Sequence, residues 1–222
     1  MKTKLLTIAM TAALMLTAMT KVQAQDFEGP CLPQMHGMDD HQSALCGFTQ
    51  SITLAEGVNW VSFYIETNLD DLKAALQATG LATATNTIVI QSKDNGMATY
   101  NGTRWRGTLS TLDLTQMYLI TVPGDCEIVL EAMRINPTEH SITIHNGANW
   151  IPYLLSESMP ITDAFAGLAA QNGDVVNSKN NGLTTYNNRW RGQLTTLVPG
   201  QGYIYNSTSM EDKELVYPSS KK

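Results

Sequence analysis

The chain is poor in cysteine, histidine and basic residues, and each shortage closes off a class of protein. Three cysteines and four histidines in 222 residues are too few for a disulfide-dense miniature fold, and their spacing fits no zinc pattern. His36, Asp39, Asp40 and His41 do gather between Cys31 and Cys46. That stretch reads as a disulfide loop carrying solvated polar groups, with no metal and no cofactor expected. Fourteen Lys and Arg against 20 Asp and Glu leave a net charge of −6. An acidic surplus with no helix-length basic cluster repels phosphate backbones and anionic headgroups, so nucleic acid is not expected as a partner. Beyond the first residues there is no apolar run near the roughly 20 needed to span a bilayer, so membrane insertion is not expected either. The sequence also lacks a G-x-S-x-G elbow, an H-E-x-x-H pair and a phosphate loop. No catalytic residue is nominated and the chain is not read as an enzyme.

The first residues are informative. Lys2 and Lys4 precede an apolar stretch that ends near Met19, and Val22, Gln23 and Ala24 form a small-residue cleavage pattern. Residues 1–24 are therefore expected to be a Sec-type signal peptide, which directs the chain to the periplasm, cell surface or exterior. Loss of Lys2, Lys4 and Lys21 makes the remainder more acidic still. In that oxidising setting Cys31 and Cys46 are the natural disulfide, closing a loop worth about 3 kcal/mol in the chain-entropy model. Cys126 is left as an odd, buried thiol.

The dominant feature is repetition. Residues 92–107 (SKDNGMATYNGTRWRG) return as 178–192 (SKNNGLTTYNNRWRG), and 11 of 15 aligned pairs are identical. Matching extends to SITLAEGVNW and SITIHNGANW at one end, and to QMYLI and QGYIY at the other. The expected organisation is an extension over 25–49, a first module over 50–135 and a second over 141–218. Modules of this size bury only about 60% of their unfolded surface, so the two should pack together as an intramolecular pseudo-dimer.

Alternation predicts strands at 51–54 and 59–65, forming an opening hairpin, then at 87–92, 98–100, 104–111, 116–122 and 127–131. Asn68 as N-cap, Asp70 and Asp71 behind it, and Leu69, Leu72 and Leu76 at helical spacing predict one helix stopped at Gly80. Residues 161–170 repeat that signal. Short turns such as Asn95-Gly96 and Asn181-Gly182 cannot make parallel crossovers. The fold class is α+β, as two tandem homologous modules, each a mainly antiparallel sheet with one helix.

The recurrent residues Gly57, Asn59, Trp60, Tyr100, Trp105, Gly107 and Tyr118, answered by Gly147, Asn149, Trp150, Tyr186, Trp190, Gly192, Pro199, Gly200, Gly202 and Tyr203, carry a resemblance. The chain resembles an uncharacterised tandem Trp-rich module of secreted and surface proteins of Bacteroidota bacteria. Leu114-Thr115 depart from it where the second copy has Pro199-Gly200. The resemblance implies location and architecture and supplies no activity.

All four tryptophans, Trp60, Trp105, Trp150 and Trp190, stand at matched positions and read as structural core, because large aromatics supply burial in small domains. Trp105 shares a strand face with Leu109, and Trp190 with Leu194, so Arg104, Arg106, Arg189 and Arg191 point the other way. With Tyr100 and Tyr186 these arginines are the candidate ligand-binding residues, able to hold carboxylates or sugar hydroxyls. The expected function is non-catalytic binding or adhesion, with a glycan or a cell-envelope protein as partner. The rivals are an assembly module and, lower, a glycan-active hydrolase. Oligomeric state is not legible.

Overall fold

The computed structural model describes residues 47–219. The proposed signal peptide, Cys31, Cys46 and the loop holding His36, Asp39, Asp40 and His41 lie outside them.

The first half opens with β1 (Phe48–Leu54) and β2 (Gly57–Val61), followed by α1 (Leu69–Ala78), β3 (Ile88–Gln91), β4 (Met97–Tyr100), β5 (Trp105–Gly107), β6 (Tyr118–Val122) and β7 (Cys126–Ala132). A short 3-10 turn, Pro137–Glu139, leads to β8 (Ile142–Ile144), β9 (Gly147–Ile151), β10 (Met159–Pro160) and α2 (Ile161–Ala164). The chain then forms β11 (Val175–Asn177), β12 (Leu183–Tyr186), β13 (Trp190–Gly192), β14 (Thr196–Leu197), β15 (Tyr203–Ser207) and β16 (Lys213–Leu215). The described residues are thus mostly antiparallel sheet, with two α-helices. One five-stranded sheet runs β2-β6-β3-β4-β5 and the other β9-β15-β11-β12-β13.

The expected hairpin between the two opening strands does not form. β1 pairs with β7, Leu54 opposite Cys126, and β8 pairs with β16, Ile144 opposite Lys213. Buried Asn59 explains the separation. Its Oδ1 accepts from the Ala55 N–H at 3.1 Å, and its Nδ2 reaches the carbonyls of Ala55, Gly57 and Ile120 at 2.8, 3.2 and 3.3 Å. Asn149 repeats all four bonds with His145, Gly147 and Tyr205. Gly57 and Gly147 take positive φ, 90° and 81°, which only glycine adopts cheaply. The amide therefore locks a bend that sends consecutive strands into different sheets.

Two further differences from expectation have local causes. β2 stops at Val61 because the Ser62 N–H turns to the Gly200 carbonyl, 3.1 Å away. Helix α2 is a single turn. Pro160 at its N-cap makes no side-chain bond, whereas Asn68 caps α1 by accepting from Asp70 and Asp71 N–H at 2.9 and 3.0 Å. Each sheet carries a bulge at Gly107 or Gly192: the Thr108 and Leu109 N–H groups share the Met97 carbonyl, and those of Gln193 and Leu194 share the Leu183 carbonyl. A Cβ at either glycine would land on that carbonyl.

Each five-stranded sheet backs one hydrophobic cluster, the first built on residues such as Leu72, Ile90 and Tyr118, the second on Tyr153, Val176 and Tyr203. Each fully buried aliphatic side chain contributes about 1.5–3 kcal/mol. Leu114 packs against both clusters, and Ile135 belongs to the second. Between the halves the backbone bonds are reciprocal. The Gly202 N–H donates to the Trp60 carbonyl at 3.0 Å, and the Met117 N–H to the Trp150 carbonyl at 3.3 Å. Lys93 and Lys179 also cross the junction, but to non-equivalent acceptors, the Ala148 carbonyl at 2.8 Å and Asn59 Oδ1 at 3.5 Å; it is the backbone bonds that repeat. Matched groups contacting matched groups is the pattern of an isologous contact. It closes β2, β6, β9 and β15 into a circuit and covers the edges of β2 and β9.

Candidate binding face

Strand alternation places Asn59, Ile90, Ala98, Tyr100 and Trp105 toward the first cluster, and leaves the opposite face of that sheet open. The register aligns Trp60, Leu119, Gln91 and Met97 in one row across four strands, and Val58, Thr121, Val89, Thr99 and Arg106 in the next. In the second sheet the same rows hold Trp150, Ile204, Asn177 and Leu183, then Ala148, Asn206, Val175, Thr185 and Arg191. Every one of these side chains is half-buried or exposed. Met97 and Leu183, at matched positions, are 45% and 48% exposed.

The tryptophans thus divide into two kinds. Trp105 packs on the first cluster, stacked on Tyr100 with ring centroids 5.1 Å apart. Its Nε1 donates to Gln77 at 3.0 Å, and the Lys73 ammonium stands 5.9 Å over its ring. Trp190 packs on the second cluster among Phe165, Tyr186 and Tyr205. Trp60 and Trp150 instead lie half-buried outside both clusters, on the open face near the junction.

The candidate ligand residues divide as well. Arg104, Arg106, Arg189 and Arg191 are all exposed. Tyr100 and Tyr186 are turned to the opposite side, against Trp105 and Trp190, so they do not share a face with Arg106 and Arg191. The open face brings those two arginines together instead with Thr99, Thr185 and, farther along each sheet, Trp60 and Trp150. Alternation read along one strand supplied the arginines; the cross-strand register that adds the tryptophans was not visible in it.

Among the described residues none of the six matched cations, Lys93, Arg104, Arg106, Lys179, Arg189 and Arg191, is engaged by a carboxylate. An exposed guanidinium keeps its planar fork of donors available for a carboxylate, sulfate or hydroxyl pair. Two surface cavities among the described residues are small. One, about 90 Å³, lies at the junction between Trp60, Asn59, Lys179 and Gln201; the other, about 280 Å³, lies beside Gln171, Ser209 and Asp212. Both fall below the roughly 300–1,000 Å³ of enclosed small-molecule sites.

A buried polar cluster in the second half was missed from sequence. The Asp174 carboxylate, fully buried, accepts from Lys213 Nζ at 2.9 Å, the Tyr205 hydroxyl at 2.6 Å, Thr208 N–H and Oγ1 at 2.7 Å each, and Gln171 N–H at 2.9 Å. Burial alone would raise its pKa, but the five donors outweigh it and hold the group below the usual carboxylate range. Burial, and after it the same carboxylate, push the Tyr205 hydroxyl up. A signal existed: Lys213, Leu215 and Tyr217 alternate onto one face, which demands an inward lysine and hence a partner acid. Cys126 is half-buried with a free thiol, its pKa raised by burial and then by Asp125. No helix among the described residues is long and apolar enough to cross a membrane. Compared with family models, curated proteins and solved structures, the chain matches none.

Proposed function

We propose that the chain is a non-catalytic binding or adhesion protein of the cell envelope or exterior, exported by residues 1–24 and built from two homologous α+β modules descended from one duplicated unit. A glycan is the ligand class. The observation that carries the reading is the twice-presented open face, with Trp60 and Arg106 on one sheet and Trp150 and Arg191 on the other. Indole rings stack on sugar rings, and free guanidinium, threonine and amide groups hydrogen-bond hydroxyls or carboxylates. Presenting the arrangement twice also suits a repetitive polymer, since a second contact on one chain becomes intramolecular.

A glycan array probed with the purified protein tests it. Binding is expected, and loss of signal in the double variant Arg106→Gln, Arg191→Gln with its melting temperature unchanged supports the reading. Silence across the array, together with a co-purifying envelope protein, would replace it with the assembly role.

A further inference from the structure

The ligand class can be narrowed by charge, an inference that rests on the binding role just proposed. Nine Lys and Arg fall within the described residues. Lys213 is consumed by buried Asp174, Lys73 lies over Trp105, and Arg134 lies 4.2 Å from the Phe48 ring centre. The remaining six are the matched cations, all exposed and none ion-paired. Many acids lie on other elements, Glu127 and Glu131 on β7, Asp70 and Asp71 on α1, and Glu211, Asp212 and Glu214 at β16 and the turn before it, while Asp94 adjoins Lys93. Neither row of either open face contains a carboxylate. An acidic chain thus presents its unpaired arginines as two equivalent pairs, each at the far edge of the sheet from its tryptophan, while Lys93 and Lys179 lie at the junction.

We infer that the face takes an anionic glycan, a polysaccharide bearing carboxylate or sulfate groups, with Trp60 and Trp150 stacking on sugar rings and the matched arginines pairing with its acidic groups. Trp60 and Arg106 are four strands apart, about 19 Å at the usual strand spacing, which calls for an oligomer rather than a single sugar. Thr99, Thr121 and Gln91, with Asn177, Thr185 and Asn206, supply the hydroxyl and amide partners that such rings require between the charges. A nucleic-acid duplex fits less well, because its dense charge would run against the acidic flanks. The second patch is the more positive, since Asp94 beside Lys93 is Asn180 beside Lys179.

The test is calorimetric titration of the purified protein with polygalacturonate, chondroitin sulfate, neutral dextran and duplex DNA, at low and moderate salt. Binding of polygalacturonate or chondroitin sulfate is expected at least tenfold tighter than dextran, weakening about tenfold between the two salt conditions, with the preferred polymer showing whether carboxylate or sulfate is recognised. Changing Arg104, Arg106, Arg189 and Arg191 together to Gln should weaken it at least tenfold without moving the melting temperature, and Arg191→Gln should weaken it more than Arg106→Gln. Dextran bound as tightly as the anionic polymers, or a salt-insensitive affinity, overturns the charge assignment while leaving glycan binding intact. DNA bound tighter than any glycan overturns it as well, and no binding to any polymer sinks both this inference and the role on which it rests.

Discussion

The two halves share a backbone plan but fill one place in it with opposite chemistry. Where the second half has Asp174, whose carbonyl accepts from Tyr186 N–H, the first has Ile88 opposite Tyr100. Tyr205 opposite Asn149 answers to Ile120 opposite Asn59, and Lys213 opposite Ile144 answers to Cys126 opposite Leu54. A charged, fully hydrogen-bonded knot on one side is an aliphatic packing on the other. The framework therefore does not need the ion pair; it needs the volume filled and every buried donor answered. This matches the general behaviour of buried ion pairs, which contribute little net stability over a hydrophobic isostere yet are costly to break from one side.

That comparison can be broken most directly at its centre. Replacing Asp174 with Ala, or Lys213 with Met, leaves an uncompensated buried charge and is expected to cost about 3–5 kcal/mol in denaturant unfolding. Copying the first half, with Asp174→Ile, Tyr205→Ile and Lys213→Cys together, should recover most of that loss. If the triple variant is as unstable as the single ones, the halves are not interchangeable at this place. Acid offers a milder version of the same test. Because the folded Asp174 titrates below its unfolded value, its stabilisation is complete above about pH 4 and fades as pH falls below that. Amides of β11 and β15 should then lose hydrogen-exchange protection before those of β3 and β6, and simultaneous loss would contradict the assignment.

Where the halves agree, their responses should agree too. Asn59→Ala and Asn149→Ala each leave a buried bend without its amide and are expected to destabilise by about 2 kcal/mol, with near-equal values. A gap of more than twofold between them would show that the matched networks do different work. The smallest expected effect is at the junction, where Met117 is fully buried and a Cβ at Gly202 would overlap the Met117 side chain. Gly202→Met should cost about 1–3 kcal/mol through overpacking, and adding Met117→Gly should restore much of it, which thermal unfolding would read directly.

How much of this was legible depended on the range of the physics involved. Asn68, Asp70 and Asp71 announce α1 because a cap acts within one turn, and Asn95-Gly96 announces its turn for the same reason. Gly107 and Gly192 stand out because a glycine inside a strand pattern marks either a bulge or a close backbone approach, and the sequence alone does not choose between them. The partner of β1 was not readable: alternation says which side of a strand is buried but not which strand lies beside it, and β7 is far away in sequence. The open face suffered similarly. Arg106 could be assigned an outward direction from its own strand, whereas the position of Trp60 on that same side follows only from the register of β2 on β6 and β6 on β3. Asp174 and Lys213, 39 residues apart, meet through tertiary pairing alone.

The Met117 and Gly202 contact carries a consequence for the handling of the molecule. Near the pseudo-two-fold one side now supplies a peg and the other a socket, so neither half can stand in for its sibling. Two copies of the first half would drive peg against peg, and two copies of the second would leave an unfilled hollow. Expressed as separate polypeptides, the halves should thus seek each other in preference to themselves, because only the mixed pair sets the long side chain at 117 against the bare backbone at 202.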